Sequence, residues 1–316
     1  MLAVAEALGW PFAIKTIDYG PPAGLPNALL GASLLGVRPA GRAALAPPWP
    51  DLVIAAGRRS LPVVRWLKRR QPAAFLVQLM WPGSARGPDL IVVPAHDRVA
   101  DRPEVIRTQG APHRITPERL ADAAAALAPR LSGLPRPRIA CLVGGRNRQV
   151  RFTPADAGEL ARAASALARD RGGSLLVTTS RRTGAACSRT LAAAIDVAHL
   201  LHDWLPTGDN PYLGLLGAAD AIIVTADSTS MCTEACATGK PVLLFRPAGG
   251  IAPRLARLHA WLAAEGRLAP LGSAWPAPRP PLANPAAVVA AAIRARLPGP
   301  IRATSPRAVA PARSKP

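Results

Sequence analysis

The chain has 316 residues, with 39 Lys and Arg against 19 Asp and Glu, a formal net charge of +20. At 49% hydrophobic and 18% charged it is too apolar for a disordered chain and long enough to bury two cores. No apolar run reaches the roughly 18–20 residues of a membrane span, which excludes a transmembrane protein.

In chain order, Leu2–Leu8 reads as a helix stopped by Gly9. Candidate strands follow at Phe12–Ile17, Leu52–Ala56, Ala74–Leu79, Leu90–Val93, Ile139–Val143, Leu175–Thr178, Ala221–Thr225 and Val242–Phe245. Most are continuously apolar, as in a parallel sheet covered by helices on both faces. Thr116-Pro117 and Thr153-Pro154 are N-cap and first-turn pairs. The first opens an Ala-rich helix ending near Leu131, the second a helix through about Arg169 that Gly172-Gly173 stops. Strands alternating with helices predict an α/β fold. The Pro/Arg-rich segment Ser132–Arg138 reads as a linker. Two Rossmann-like domains with parallel sheets facing a cleft are therefore expected, at 1–133 and 134–298. Residues 299–316, aperiodic and without an acid, read as a disordered basic tail. A doubly wound domain normally opens on a strand, so the first strand is expected to be missing. Either the domain starts atypically or Met1 is an internal start.

Met1–Trp10 has no basic n-region and carries Glu6, which argues against a signal peptide. Four cysteines without a C-x-x-C pair fit reduced thiols in a cytoplasmic setting. Only Lys15, Lys68, Lys240 and Lys315 are lysines, and an Arg/Ala/Pro bias is what a GC-rich genome imposes on any protein. With aromatics at 4%, interleaved stacking residues for nucleic acid are lacking, so a nucleic-acid partner is not expected. The charge does favour encounter with phosphates and anionic surfaces, leaving open a peripheral contact with anionic lipid at the inner face of the membrane.

Ligands of open parallel sheets bind beyond the carboxyl ends of strands. Those ends carry Arg58, Arg59 and Ser60; His96 and Asp97; Gly144, Gly145, Arg146 and Arg148; Arg181; and Ser228, Thr229 and Ser230. The last three sit where a helix opens, with free amides and a positive dipole end suited to a phosphate. Glu234, one turn on, is placed to accept from a ribose diol. The competing reading is an ordinary cap at Asp227 or Ser228 with a solvated Glu234. His96 with Asp97 forms a candidate base oriented by a carboxylate. Arg58 and Arg59 at a helix start call for an anion. His199, His202 and Asp203 have no completing partner, so no metal is expected, and the sequence implies no other cofactor.

The block Asn210–Phe245 resembles the nucleotide-sugar segment of GT-B glycosyltransferases, including the undecaprenyl-muramoyl-peptide N-acetylglucosaminyltransferase type. There a hydroxyl-rich turn holds the diphosphate and a helical Glu holds the ribose. A longer resemblance covers about residues 2–295. Val53–Ser60, Gln78–Pro82, Val92–Asp97, Thr108–Pro112, Leu142–Gly145, Thr178–Thr183 and the 210–245 block are similar, in order, to the "elongated mitochondria" (ELM) mitochondrial fission family of plants and proteobacteria. Members of that family usually begin with a strand and Gly-containing loop, which this sequence lacks. The resemblance implies a GT-B-like fold. It also implies either a glycosyltransferase or nucleotide-sugar-binding protein, with a nucleotide-diphosphate sugar as partner. The alternatives are a non-catalytic scaffold recruiting a partner such as a dynamin-like GTPase, and a nucleotide-sugar epimerase. On the transferase reading, Arg146, Arg148 and Arg181 lie near the phosphates, and His96 is the candidate base.

Overall fold

The structure is a computed structural model that describes residues 1–148, 150–205, 209–297 and 299. It has two compact units: Met1–Pro112 joined by residues 285–297, and His113–Asn284. Apart from Gly299, the expected basic tail lies outside the described residues.

The first unit opens with α1 (Leu2–Leu8), which buries Ala3, Val4 and Leu8. Gly9 ends it at φ 68°, its N–H bonded to the Glu6 carbonyl, the left-handed stop glycine permits. One-turn helices α2 (Asn27–Leu30) and α3 (Pro39–Arg42) precede β1 (Leu52–Ala56), α4 (Leu61–Arg70), β2 (Phe75–Leu79), β3 (Leu90–Pro94) and β4 (Val105–Thr108). The four strands form a parallel sheet in the order β1-β2-β3-β4.

Two expectations need correction here. Phe12–Ile17 is not a strand: it is unpaired, with Phe12 46% and Ile14 67% exposed. Strand-like residues become a strand only when a neighbour takes their backbone hydrogen bonds, and among the described residues no strand lies beside this segment. Conversely, β4 forms although its sequence, Val-Ile-Arg-Thr, is only half apolar. An edge strand packs on one side, so it needs less apolar sequence.

The second unit runs α5 (Pro117–Leu127), β5 (Arg138–Leu142), α6 (Pro154–Asp170), β6 (Ser174–Thr178), α7 (Ala185–Ala194), β7 (His199–His202), α8 (Tyr212–Ala218), β8 (Ala221–Thr225), α9 (Thr229–Ala237), β9 (Val242–Phe245), α10 (Pro253–Ala264) and β10 (Ala269–Pro270). Helix α11 (Pro285–Arg296) then returns to the first unit, where Val289, Ala290 and Ile293 share a core with α1, β2 and β3. Thr153 caps α6 in a reciprocal capping box with Asp156, and Gly172 turns the chain at φ 64° after it. The edge strands β7 and β10, short or part-polar, are further elements the apolar pattern does not reveal.

The six strands are all parallel, in the order β10-β9-β8-β5-β6-β7. Numbered within the unit this is 6-5-4-1-2-3, the doubly wound order of dinucleotide-binding folds. The α/β expectation with two parallel sheets holds, but the units divide at Pro112/His113 rather than at 133/134. The cause is α5, which packs on α8 of the second unit. Gly214 and Gly217 let the helices approach so closely that a Cβ on Gly217 would collide with the Leu120 carbonyl. Leu120, Leu127 and Leu131 thereby join the cores of the second sheet. Residues 132–137 form a loop inside that unit, not its edge, and Arg138 opens β5.

Candidate functional site

In a doubly wound sheet, the loops leaving the two central strands diverge to opposite faces and open a crevice. Here those strands are β5 and β8, followed by Val143–Arg148 and Ala226–Ser228. Three of the expected residue groups therefore meet: the Gly144–Gly145 turn, the Ser228–Ser230 turn, and the loop after β6 containing Arg181.

The two glycines are required by close approach. A Cβ on Gly144 would drive into the Asp227 carboxylate, and one on Gly145 (φ 132°) into the backbone of Arg182 and Thr183. The polar groups of Gly144 are engaged on both sides. The Gly144 N–H donates to Thr225 Oγ1 at 2.8 Å, and its carbonyl accepts from the hydroxyls of Thr183 (2.7 Å) and Ser180. The Arg146 N–H donates to the Arg182 carbonyl at 3.2 Å.

Asp227 occupies the centre of this arrangement. Its side chain is 1% exposed, accepts from Thr225 Oγ1 at 2.6 Å, and pairs with Arg182 Nη1 at 2.6 Å. Asn147 Nδ2 donates to the Asp227 carbonyl at 3.1 Å, tying the two loops. The sequence offered Asp227 only as an alternative helix cap and did not single out Arg182. The signal was present only as their adjacency to Ser228 and Arg181, because nothing local says that Gly144 lies opposite Asp227.

The other expected residues fall as follows. Ser228 is the N-cap of α9, its hydroxyl accepting from the Met231 N–H at 3.4 Å, so the capping reading describes its side chain. Thr229 is half-buried and Ser230 exposed at the same helix end. Glu234 is half-buried rather than solvated and accepts from the Tyr212 hydroxyl at 2.7 Å. Burial raises its pKa, partly offset by that hydrogen bond, and burial together with the Glu234 charge pushes Tyr212 well above the usual phenol range. Arg146, Arg148 and Arg181 are exposed. A depression of about 360 Å³ lies at the start of α6, but Asp156 and Glu159 line it with Arg151, a poor setting for an anion.

The remaining residues lie in the first unit. His96 is 8% exposed and its Nε2 stands 3.8 Å from Asp97 Oδ1, longer than an orienting hydrogen bond. Arg58 directs its guanidinium at backbone rather than at an open anion site. It donates to the carbonyls of Leu25 (2.8 Å) and Ala23 (3.2 Å), while Asn27 Nδ2 returns a bond to the Arg58 carbonyl at 3.0 Å. The Ser60 hydroxyl is buried against the Gly57 carbonyl at 2.9 Å. Arg59 stays exposed near Tyr19. Among the described residues, no helix is long and apolar enough to cross a membrane.

The strand order and the glycine-lined crevice define a doubly wound α/β protein with parallel sheets. The chain belongs to the Mitochondrial fission ELM1 family, whose profile matches residues 1–297. It is 29% identical over 240 residues to the mitochondrial fission protein ELM1 of Arabidopsis thaliana, an alignment covering 68% of this chain and 56% of that protein. The chain thus spans little more than half the length of that relative. It is 26% identical over 283 residues to the uncharacterized protein RP120 of Rickettsia prowazekii, covering 78% of this chain and 79% of that one. Among solved structures it is similar to the spinosyn forosaminyltransferase SpnP, at 16% identity and a TM-score of 0.48, over 87% of this chain and 76% of that chain.

Proposed function

We propose that the His113–Asn284 unit binds a nucleotide-diphosphate sugar and that the protein is a GT-B-like glycosyltransferase or a nucleotide-sugar-binding relative of one. The observation carrying this reading is the doubly wound strand order, which brings Gly144–Gly145 and the start of α9 together at the central crevice. The diphosphate lies against the α9 amides of Thr229 and Ser230, with Arg146, Arg148 and Arg181 supplying positive charge. Glu234, positioned by Tyr212, accepts from the ribose hydroxyls. The work of such a site is to position the donor and stabilise its departing diphosphate. His96 remains the candidate base.

A second reading is favoured by two specific observations: Ser228 is engaged as a cap, and a carboxylate fills the space over Gly144. On that reading the fold is kept as a non-catalytic scaffold that presents a surface to a partner. Thermal shift and titration calorimetry with UDP-, GDP-, CMP- and ADP-sugars separate the two, since a ligand that binds only the native state raises Tm. The expected result is stabilisation by one nucleotide class, lost in Glu234→Ala and retained in part by Glu234→Gln. If no nucleotide sugar moves Tm, the donor-binding reading fails and the scaffold reading stands.

A further inference from the structure

We propose that the surface of the first unit formed by α2 and the ends of β1 and β2 docks on an anionic lipid bilayer. This inference stands apart from the nucleotide site. The sequence sets up the charge: between Asp18 and Asp89 the sole acidic residue is Asp51, against nine Lys and Arg.

The structure gathers part of that charge around apolar side chains held in water. Leu25 is 43% exposed, Leu29 72% and Met80 51%. Hydrogen bonds make the three neighbours. Asn27 Nδ2 donates to the carbonyls of Arg58 (3.0 Å) and Pro82 (3.1 Å), so the α2 turn spans the ends of β1 and β2. Arg58 Nη1 donates to the Leu25 carbonyl at 2.8 Å, and Arg65 reaches from Asn27 to Ser84 Oγ, 3.0 Å away. Met80 sits at φ 67°, a left-handed conformation costly for a bulky residue, and it holds an apolar side chain outward. Arg59 is exposed on the same turn as Arg58.

Separate flexible aliphatic side chains among guanidinium groups match one partner chemistry well. Leu and Met enter the acyl boundary of a bilayer while Arg meets the lipid phosphates. A nucleic acid would call for exposed aromatic stacking residues, and Leu25, Leu29 and Met80 supply none. Burying each of the three in lipid contributes roughly tenfold in affinity.

The test is co-sedimentation of the full chain with vesicles of phosphatidylcholine alone, or with about 30 mol% phosphatidylglycerol, at physiological salt. The expected result is binding to the anionic vesicles only. The charge-neutral variant Leu25→Gln/Leu29→Gln/Met80→Gln, at exposed positions where Tm stays unchanged, is expected to weaken it at least about tenfold. Arg59→Glu weakens it as well. Arg162→Glu/Arg189→Glu, exposed positions in the other unit, changes net charge twice as much and is expected to leave binding within about twofold. The proposal is overturned if the wild type ignores anionic vesicles. It is equally overturned if the Gln variant binds as the wild type does, or if the Arg162/Arg189 control weakens as much as Arg59→Glu. The last two results would mean attraction by total charge, as towards any polyanion including nucleic acid.

Discussion

Replacing Asp227 by alanine, alone and together with Gly144→Ala, tests how the central crevice is built. Losing one member of a fully buried ion pair costs about 3–5 kcal/mol. Here Arg182 is 31% exposed and returns to water, and Thr225 Oγ1 keeps the Leu142 carbonyl at 3.4 Å. The expected loss for Asp227→Ala is therefore nearer about 2 kcal/mol. Gly144→Ala in the wild type forces its methyl into the Asp227 carboxylate, which must leave both Thr225 and Arg182, at a cost of about 2–3 kcal/mol. With Asp227 already alanine, the space is open and the same change costs under about 1 kcal/mol. The double mutant is thus more stable than the sum of its parts by more than about 1 kcal/mol, a coupling that urea unfolding of the four proteins measures. A Gly144→Ala penalty of equal size in both backgrounds would refute the reasoning, since Asp227 would then not be what the glycine accommodates.

Three further outcomes are expected. Gly217→Ala places a methyl on the Leu120 carbonyl and forces α5 away from α8, lowering Tm by several degrees for a loss of about 2 kcal/mol; an unchanged Tm in a thermal melt would show that the contact yields freely. Burial lowers the Lys240 pKa to about 8, the ammonium donating to the Leu216 and Gly217 carbonyls. From about pH 8 up to the ordinary lysine range the unfolded chain therefore holds a proton the folded chain has released, so this residue's contribution to stability rises with pH and is lost as pH falls through about 8. Stability of the wild type relative to Lys240→Met should climb across that window, and parallel pH curves in urea unfolding would contradict it. Arg58→Lys keeps the charge but loses the fork that binds the 23–25 carbonyls, so limited proteolysis within residues 20–30 should be several-fold faster, while unchanged cleavage would mean that the fork does not hold the segment.

The central strands were legible because burial on both faces demands continuous apolar runs, and Ala221–Thr225 and Val242–Phe245 match their strands residue for residue. Helix ends were legible where a local residue decides them, as with Thr153 and Gly9. Pairing is not local. Phe12–Ile17 has strand composition without a neighbour, whereas β7 is a strand despite a histidine at each end. Side-chain commitments were less legible still. Arg58 carries a charge that suggests an anion, yet its geometry meets carbonyls 33 and 35 residues away. Glu234 reads as a ribose acceptor or a solvated helix residue, and only the fold brings Tyr212 against it from 22 residues away. The linker at 132–138 misled because Pro and Gly mark any turn, while a unit boundary depends on which core a helix joins, and α5 joins the second.

The pairing of Asp227 with Arg182 also constrains what the crevice can hold. The pair is neutral as a unit, so neither member adds net attraction for an anion, and the carboxylate stands nearest Gly144. On the proposed reading, a diphosphate therefore has to settle away from Gly144, toward the start of α9. Ser228 already satisfies the Met231 amide there, leaving the amides of Thr229 and Ser230 as the donors. The net charge opposing the phosphates comes from Arg146, Arg148 and Arg181, all exposed. Exposed charges are screened within about 8 Å at physiological ionic strength. Donor affinity at such a site should accordingly fall steeply with added salt, whereas a diphosphate held by buried cations would barely respond. The slope of affinity against salt reports which half of the crevice does the holding.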